Sequence, residues 1–185
     1  KTNIPITTTL HGLGCFPGED KSSLGMLGMH GNYEANLAMN KCDLMINVGA
    51  RFDDRVTGRL DAFSPDSIKF HIDIDQSSIN KNVKVDFHTN TDITMTLKEI
   101  NSFIESNNIE LEKKDYTNWW GQINDWRKKE CLHYEQGEEI IKPQHAISRL
   151  YDLTTQKDTF ITTEVGQHQM WAAQYYKFSK PNRWI

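Results

Sequence analysis

The chain has 185 residues, 37% hydrophobic and 10% aromatic with five tryptophans, enough for one domain or two small ones with a packed core. A net charge of -4 without a basic block argues against a nucleic-acid surface. No apolar run has the length of a membrane span, and no secretory leader is visible. Three scattered cysteines, Cys15, Cys42 and Cys131, fit small buried hydrophobes in a reducing compartment better than disulfides or a zinc knuckle.

The chain opens at Lys1 rather than Met and reaches Trp184-Ile185 just after a strand-to-helix motif, which reads as a segment of a longer protein. Ile4–Leu10 is β-branched and predicts a strand, with Pro5 near its start. Gly12–Gly18 and Gly25-Met26-Leu27-Gly28-Met29-His30-Gly31 read as glycine-rich loops that let backbone approach a ligand closely. Asn32 is a candidate N-cap for a helix through about Met39.

Asp43–Val48 is an apolar run of strand length. It breaks at Gly49 into Ala50-Arg51-Phe52-Asp53-Asp54-Arg55-Val56. A strand opening through glycine into charged residues is how a parallel α/β sheet presents polar groups at its carboxyl edge, where ligands bind. Spacing alone leaves two readings open, a solvated loop with two ion pairs and a ligand wall. Ile68–Asp75 alternates apolar and polar and predicts a second strand with an acidic tip, Asp73 and Asp75. Such a tip either accepts ribose hydroxyls or caps a turn. Val83-Lys84-Val85 predicts a short strand, and Asp92 caps a helix with a stripe of Ile93, Leu97, Ile100 and Ile104 that ends at Ser106-Asn107-Asn108.

The region 109–139 is charged and carries Trp119, Trp120, Ile123 and Trp126 at helical spacing, which reads as a linker and a helix, capped by Asp115 or Thr117, with a packing stripe. Pro143 suits the first turn of a helix bearing Ala146, Ile147, Leu150 and Leu153. Thr159–Thr163 predicts a strand, followed by Glu164-Val165-Gly166-Gln167-His168 opening a helix with Trp171, Ala172 and Ala173. Glycine and polar residues at a strand-to-helix switch offer N–H groups to a phosphate. No nucleophile–base pair and no histidine cluster at metal-ligand spacing stands out. The residues alone thus describe an α/β segment binding one or two phosphate-bearing cofactors.

The motifs Gly25–Gly31, Val48–Arg55, His71–Asp75 and Val165–Ala173 together resemble the catalytic large subunits of the acetolactate synthase (acetohydroxyacid synthase) family, over nearly the whole chain. The resemblance implies residues 1–107 as the later part of a doubly wound, parallel-sheet, FAD-binding middle domain. It implies 108–141 as a linker with a helix and 142–185 as the first βα unit of a thiamine diphosphate-binding domain. It implies condensation of two pyruvates, or of pyruvate and 2-ketobutyrate, with loss of carbon dioxide, in branched-chain amino-acid synthesis. FAD, thiamine diphosphate and Mg2+ are the implied cofactors.

By the same resemblance Thr9, Leu10, Met29, His30, Gly49, Ala50, Arg51, Asp53, Arg55, Val56, Asp73, Ile74 and Asp92 match FAD contacts. Val165, Gly166, Gln167 and His168 match thiamine diphosphate contacts, and Met29, His30, Asp54 and Arg55 the substrate channel. His11, Thr91 and Glu164 depart from the family, which usually has Met, Gly and Gly or Asp there. The catalytic glutamate and the metal ligands are expected outside this stretch, so no catalytic or metal residue is assigned within it, and the 185-residue chain alone is expected to be inactive. A homodimer or tetramer with a small regulatory subunit in a bacterial cytoplasm is implied, a plastid being the alternative. The competing readings are a related enzyme of glyoxylate carboligase or pyruvate oxidase type and a non-catalytic flavin-binding module.

Overall fold

A computed structural model describes residues 2–110 and 115–185. It is a mixed α/β structure in which strands and helices alternate and every strand pair is parallel. Two compact units form, one of residues 1–3 with 37–116, the other of 4–36 with 117–185.

The first unit is built on a parallel sheet in the order β3-β4-β5, with β3 at Leu44–Val48, β4 at Ile68–Asp73 and β5 at Phe87–Asn90. Residues pair directly across it, Asn47 with His71 and Asp73 with Asn90. The strands therefore end together, and the loops after β3, β4 and β5 share one edge of the sheet. Parallel pairing requires crossovers, and these are α2 at Asp54–Thr57 with two single 3-10 turns, Leu60–Ala62 and Gln76–Ser78. The helix α3 follows at Ile93–Ser106, with Asp92 accepting from the Met95 N–H at 3.0 Å, the cap that the sequence signals.

The alternation of β4 sorts its side chains in an unusual sense. Lys69, His71 and Asp73 are buried, while Ile68 is exposed together with Leu44, Ile46 and Val48 of β3 and Phe87 of β5. Phe52, Phe63 and Val83 form the buried apolar cluster of this unit, joined by Met39, Met45 and Val85. The stripe on α3 is present, but Leu97 and Ile100 are exposed.

The second unit pairs β1, Ile6–Thr8, with β2, Ser23–Met26. Helix α1 runs Tyr33–Lys41, with Tyr33–Asn36 in this unit and Leu37–Lys41 in the first. Three later helices complete the second unit: α4 at Thr117–Arg127, α5 at Pro143–Thr154 and α6 at Gln167–Tyr175. Its core gathers Met26, Ala172, Ala173, Tyr176, Phe178 and Trp184. Ile123 is fully buried on α4, and Trp119 stacks edge-on against Trp126 at 5.6 Å, so the aromatic stripe is packing, as its spacing predicts. Arg127 donates to the carbonyls of Lys21 and Ser23, which ties α4 to β2.

Several expectations are corrected. The loop predicted over Gly25–Gly31 begins inside β2, because Gly25 belongs to a strand that pairs with β1. Val83–Val85 is not a strand; the third strand lies at Phe87–Asn90, where β4 supplies the backbone partners. The strand predicted at Thr159–Thr163 shrinks to a bridge between Ile161 and Trp184. The side chain of Asn32 donates to the Leu24 carbonyl at 3.1 Å, holding β2.

Candidate functional site

The first unit carries ten predicted residues at or beside one sheet edge. Gly49 follows β3, Asp73 ends β4 and Asp92 follows β5. The Gly49 N–H donates to the Ile72 carbonyl at 2.8 Å, and the Thr91 N–H to the Asp73 carbonyl at 3.2 Å, so the three loops are stitched side by side. Gly49 has φ of 70°, and a Cβ there would lie 2.5 Å from Cδ1 of Ile93. Glycine is needed for the backbone angle and for the close approach of α3.

Beyond Gly49 the chain is held by Asn47, a buried residue that spacing did not single out. Its amide donates to the Ala50 carbonyl at 2.6 Å and its oxygen accepts from the Ala50 N–H at 3.2 Å. Phe52 then turns with φ of 54° and buries its ring, while Asn82 donates to its carbonyl at 3.0 Å. Because Phe52 points inward, Arg51 and Asp53 are left outside, paired at 3.0 Å, and Arg55 meets Asp54 at 3.3 Å. All four carry more than half of their side-chain surface in solvent. Exposed pairs of this kind contribute about 0–1 kcal/mol each, so the two arginines are readily re-aimed at a stronger anionic partner. Val56 is half-buried on α2.

At the tip of β4, Asp73 is 5% exposed, and its Oδ1 accepts from the Asp75 N–H at 2.8 Å. Its Oδ2 is buried without a hydrogen-bond partner among the described residues. Ile74 beside it is well exposed, and Asn90 donates to the carbonyls of Asp73 and Ile74. The Ser77 hydroxyl and N–H hold the Asp75 carboxyl below its usual pKa, so this second acid of the tip serves as a cap for its own turn. Behind Asp73 sits His71, fully buried, with Nε2 3.4 Å from Asp73 Oδ2 and its ring edge-on to Phe52 at 5.2 Å. The signal for His71 was available: two residues before Asp73 on one strand, it must share its face.

The second unit carries the remaining predicted residues. The Thr9 hydroxyl accepts from Gly12 at 3.2 Å and caps a single turn of Leu10–Gly12. After β2, the side chain of Asn36 grips Gly28 from both sides, accepting from its N–H at 2.7 Å and donating to its carbonyl at 2.9 Å. A Cβ at Gly31 would lie 2.4–2.5 Å from the Leu27 and Met26 backbone, so the turn closes only around glycine. Met29 and His30 stand exposed on the rim of this fixed turn. Gln174 of α6 donates to the His30 carbonyl at 2.8 Å. One helix therefore links the Met29–His30 turn to the motif at its own N-terminus. That motif has Gly166 as N-cap without a side-chain cap, and Val165, Gln167 and His168 exposed around it. The first-turn N–H groups of α6 have no side-chain acceptor at this end, where a helix favours an anion. Among the described residues no cluster of three metal-ligating side chains occurs, and no helix is long and apolar enough to cross a membrane.

Residues 1–100 match the model of the thiamine pyrophosphate enzyme central domain. The chain belongs to the thiamine pyrophosphate enzymes. Relatives in this family include the acetolactate synthase isozyme 3 large subunit of Escherichia coli, 44% identical over 99% of this chain and 32% of its own length. The acetolactate synthase large subunit of Haemophilus influenzae is 41% identical over the whole chain and 32% of its own length. Chloroplastic acetolactate synthase 1 of Nicotiana tabacum is 45% identical over the whole chain and 27% of its own length. The chain thus spans about a third of the length of these thiamine pyrophosphate enzymes.

Proposed function

We propose that the chain is part of an acetolactate synthase large subunit. In that protein two pyruvates, or pyruvate and 2-ketobutyrate, condense with loss of carbon dioxide toward branched-chain amino acids. The observation that carries this reading is identity of 41–45% along 99–100% of the chain with acetolactate synthases from bacteria and a plant. Residues 1–107 belong on this reading to the middle domain, 108–141 to the linker and 142–185 to the thiamine diphosphate domain.

The residues at the sheet edge fit FAD. A dinucleotide needs cations for its phosphates and an acceptor for ribose hydroxyls. Arg51 and Arg55 are exposed cations beside a glycine turn, and Asp73 Oδ2 is a buried acceptor with no hydrogen-bond partner among the described residues. Gly49, Ala50, Asp53, Val56, Ile74 and Asp92 lie at or beside the same edge; for Thr9, Leu10, Met29 and His30 of the second unit a flavin role rests on the family likeness alone. Asp54 and Arg55 in the first unit, and Met29 and His30 in the second, are assigned to the substrate route by the family likeness alone.

Gly166, Gln167 and His168 fit a diphosphate, offering an uncapped helix N-terminus and polar side chains; Val165 lies against the same group. Thiamine diphosphate, when bound, supplies the carbanion-stabilising chemistry. The work of this chain is to bind and orient: Gly166–His168 hold the anionic end, and the Met29–His30 turn, fixed by Asn36 and Gln174, shapes the approach. The catalytic glutamate and the Mg2+ ligands belong to other parts of the large subunit, which works as a homodimer or tetramer with a small regulatory subunit.

The test is an assay of the parent polypeptide with pyruvate, thiamine diphosphate, FAD and Mg2+. Acetolactate as the main product supports the assignment. No turnover overturns it, as does a preference for tartronate semialdehyde when glyoxylate is supplied, or for acetyl phosphate when pyruvate is supplied with inorganic phosphate and oxygen.

A further inference from the structure

Deep behind the sheet edge, one buried polar side chain is left without a role by the binding scheme above. His71 is fully buried, and among the described residues neither ring nitrogen has a hydrogen-bond partner. Leaving a buried polar group unpaired is costly, so such a residue needs a reason to be polar. Its two neighbours supply one. On one side its Nε2 faces Asp73 Oδ2 at 3.4 Å, close enough to pair but not aligned as a hydrogen bond. On the other its ring carries the edge of Phe52, the inward anchor between Arg51 and Asp53. Lys69, two residues back on the same strand face, is turned away to the Ser67 carbonyl at 3.0 Å, so it does not compete for Asp73.

We propose that His71 is a positioning residue for the flavin site, fixing the Asp73 carboxylate through Nε2–H and the Arg51–Asp53 loop through Phe52. The inference rests on the FAD reading of this edge. A carboxylate oxygen accepts two hydrogen bonds, so Oδ2 can take the His71 N–H from behind and a ribose hydroxyl from in front, while Oδ1 stays with the Asp75 N–H. A small closure along the existing 3.4 Å line completes the first of these and rigidifies both walls together. Preorganisation of this kind raises affinity by lowering the ordering cost of binding.

The test is FAD affinity, by flavin fluorescence, of the parent polypeptide and its variants. His71→Gln keeps an N–H donor near the Nε2 position, and His71→Leu removes it at similar volume. His71→Leu is expected to weaken FAD binding by about tenfold or more, in the range of a lost hydrogen bond to a charged group, with His71→Gln within about threefold of the native protein. In an Asp73→Asn background, His71→Leu is expected to add little, because both changes break one unit. Equal weakening by Gln and Leu, no weakening by Leu, or multiplying effects of the two changes overturns the proposal. If His71→Leu does not fold, 15N spectra of the flavin-loaded native protein decide: a protonated Nε2 with a slowly exchanging proton supports the proposal, and an unprotonated Nε2 overturns it. Absence of FAD binding in the native protein instead refutes the flavin reading itself.

Discussion

Asn36 holds Gly28 by both of its backbone groups, accepting from the N–H at 2.7 Å and donating to the carbonyl at 2.9 Å. Asn47 does the same to Ala50, three residues ahead on its own loop. Each asparagine amide stands in for a strand partner at a point where the chain leaves the sheet. Gly28 is buried, and its carbonyl also accepts from the Gly31 N–H at 3.0 Å, so Asn36→Ala takes the side-chain acceptor from the Gly28 N–H while the carbonyl keeps one donor, at a cost of about 1–3 kcal/mol. Urea unfolding of the variant is expected to show stability lowered by that amount, read as a lower midpoint at unchanged slope.

Gly49 sits at φ of 70° with Ile93 Cδ1 where a Cβ would go. Gly49→Ala is expected to cost about 1–2 kcal/mol for the left-handed backbone, plus the displacement of Ile93. Ile93→Val removes Cδ1, so the double variant is expected to recover the packing part and keep the backbone part. Denaturant midpoints of the four proteins check this; full recovery would mean that the backbone angle carries no cost.

Ile123 is fully buried on α4. Ile123→Ala is expected to destabilise by about 2–5 kcal/mol, the range for a large aliphatic truncated in a close-packed site. Trp119→Ala, on a partly exposed ring, is expected to cost less. A calorimetric Tm for each, in the same buffer, gives the order.

Asp158 takes two bonds from Arg183, at 2.7 and 2.9 Å, and fixes the segment that bridges Ile161 to Trp184. The Arg183 guanidinium holds the Asp158 carboxyl below its usual pKa. A depressed carboxylate contributes stability above its unfolded pKa, and this is lost as pH falls through the folded value. Tm is therefore expected to fall less steeply below about pH 4 in Asp158→Asn than in the native protein, with the two curves separated near neutrality. Parallel curves across that range would show that the pair contributes nothing.

Local chemistry made some of the fold legible. Asp92 caps α3, Pro143 opens α5 and the stripe around Ile123 packs, because each signal acts within one helix. What failed depended on distant partners. Phe87–Asn90 carries no strand signal in its own residues, and pairing with β4 makes it a strand. Gly25 reads as a loop residue but lies in β2 for the same reason. Val48–Arg55 was legible as a polar strand end, and the two ion pairs form there in solvent, while the ligand wall remains a proposal. Of the supports of that edge, His71 was signalled by its place two residues before Asp73 on one strand, whereas Asn47 shows its hold on Ala50 only once the turn after β3 is formed.

The most direct test of the flavin reading is acetolactate formation by the parent polypeptide, titrated with FAD at saturating thiamine diphosphate, for the native protein and Arg51→Ala. Loss of one charge-assisted contact predicts a requirement for FAD raised by about tenfold or more, with the thiamine diphosphate requirement unchanged. An FAD requirement equal in the two proteins, or a shift in the thiamine diphosphate requirement alone, would contradict the account.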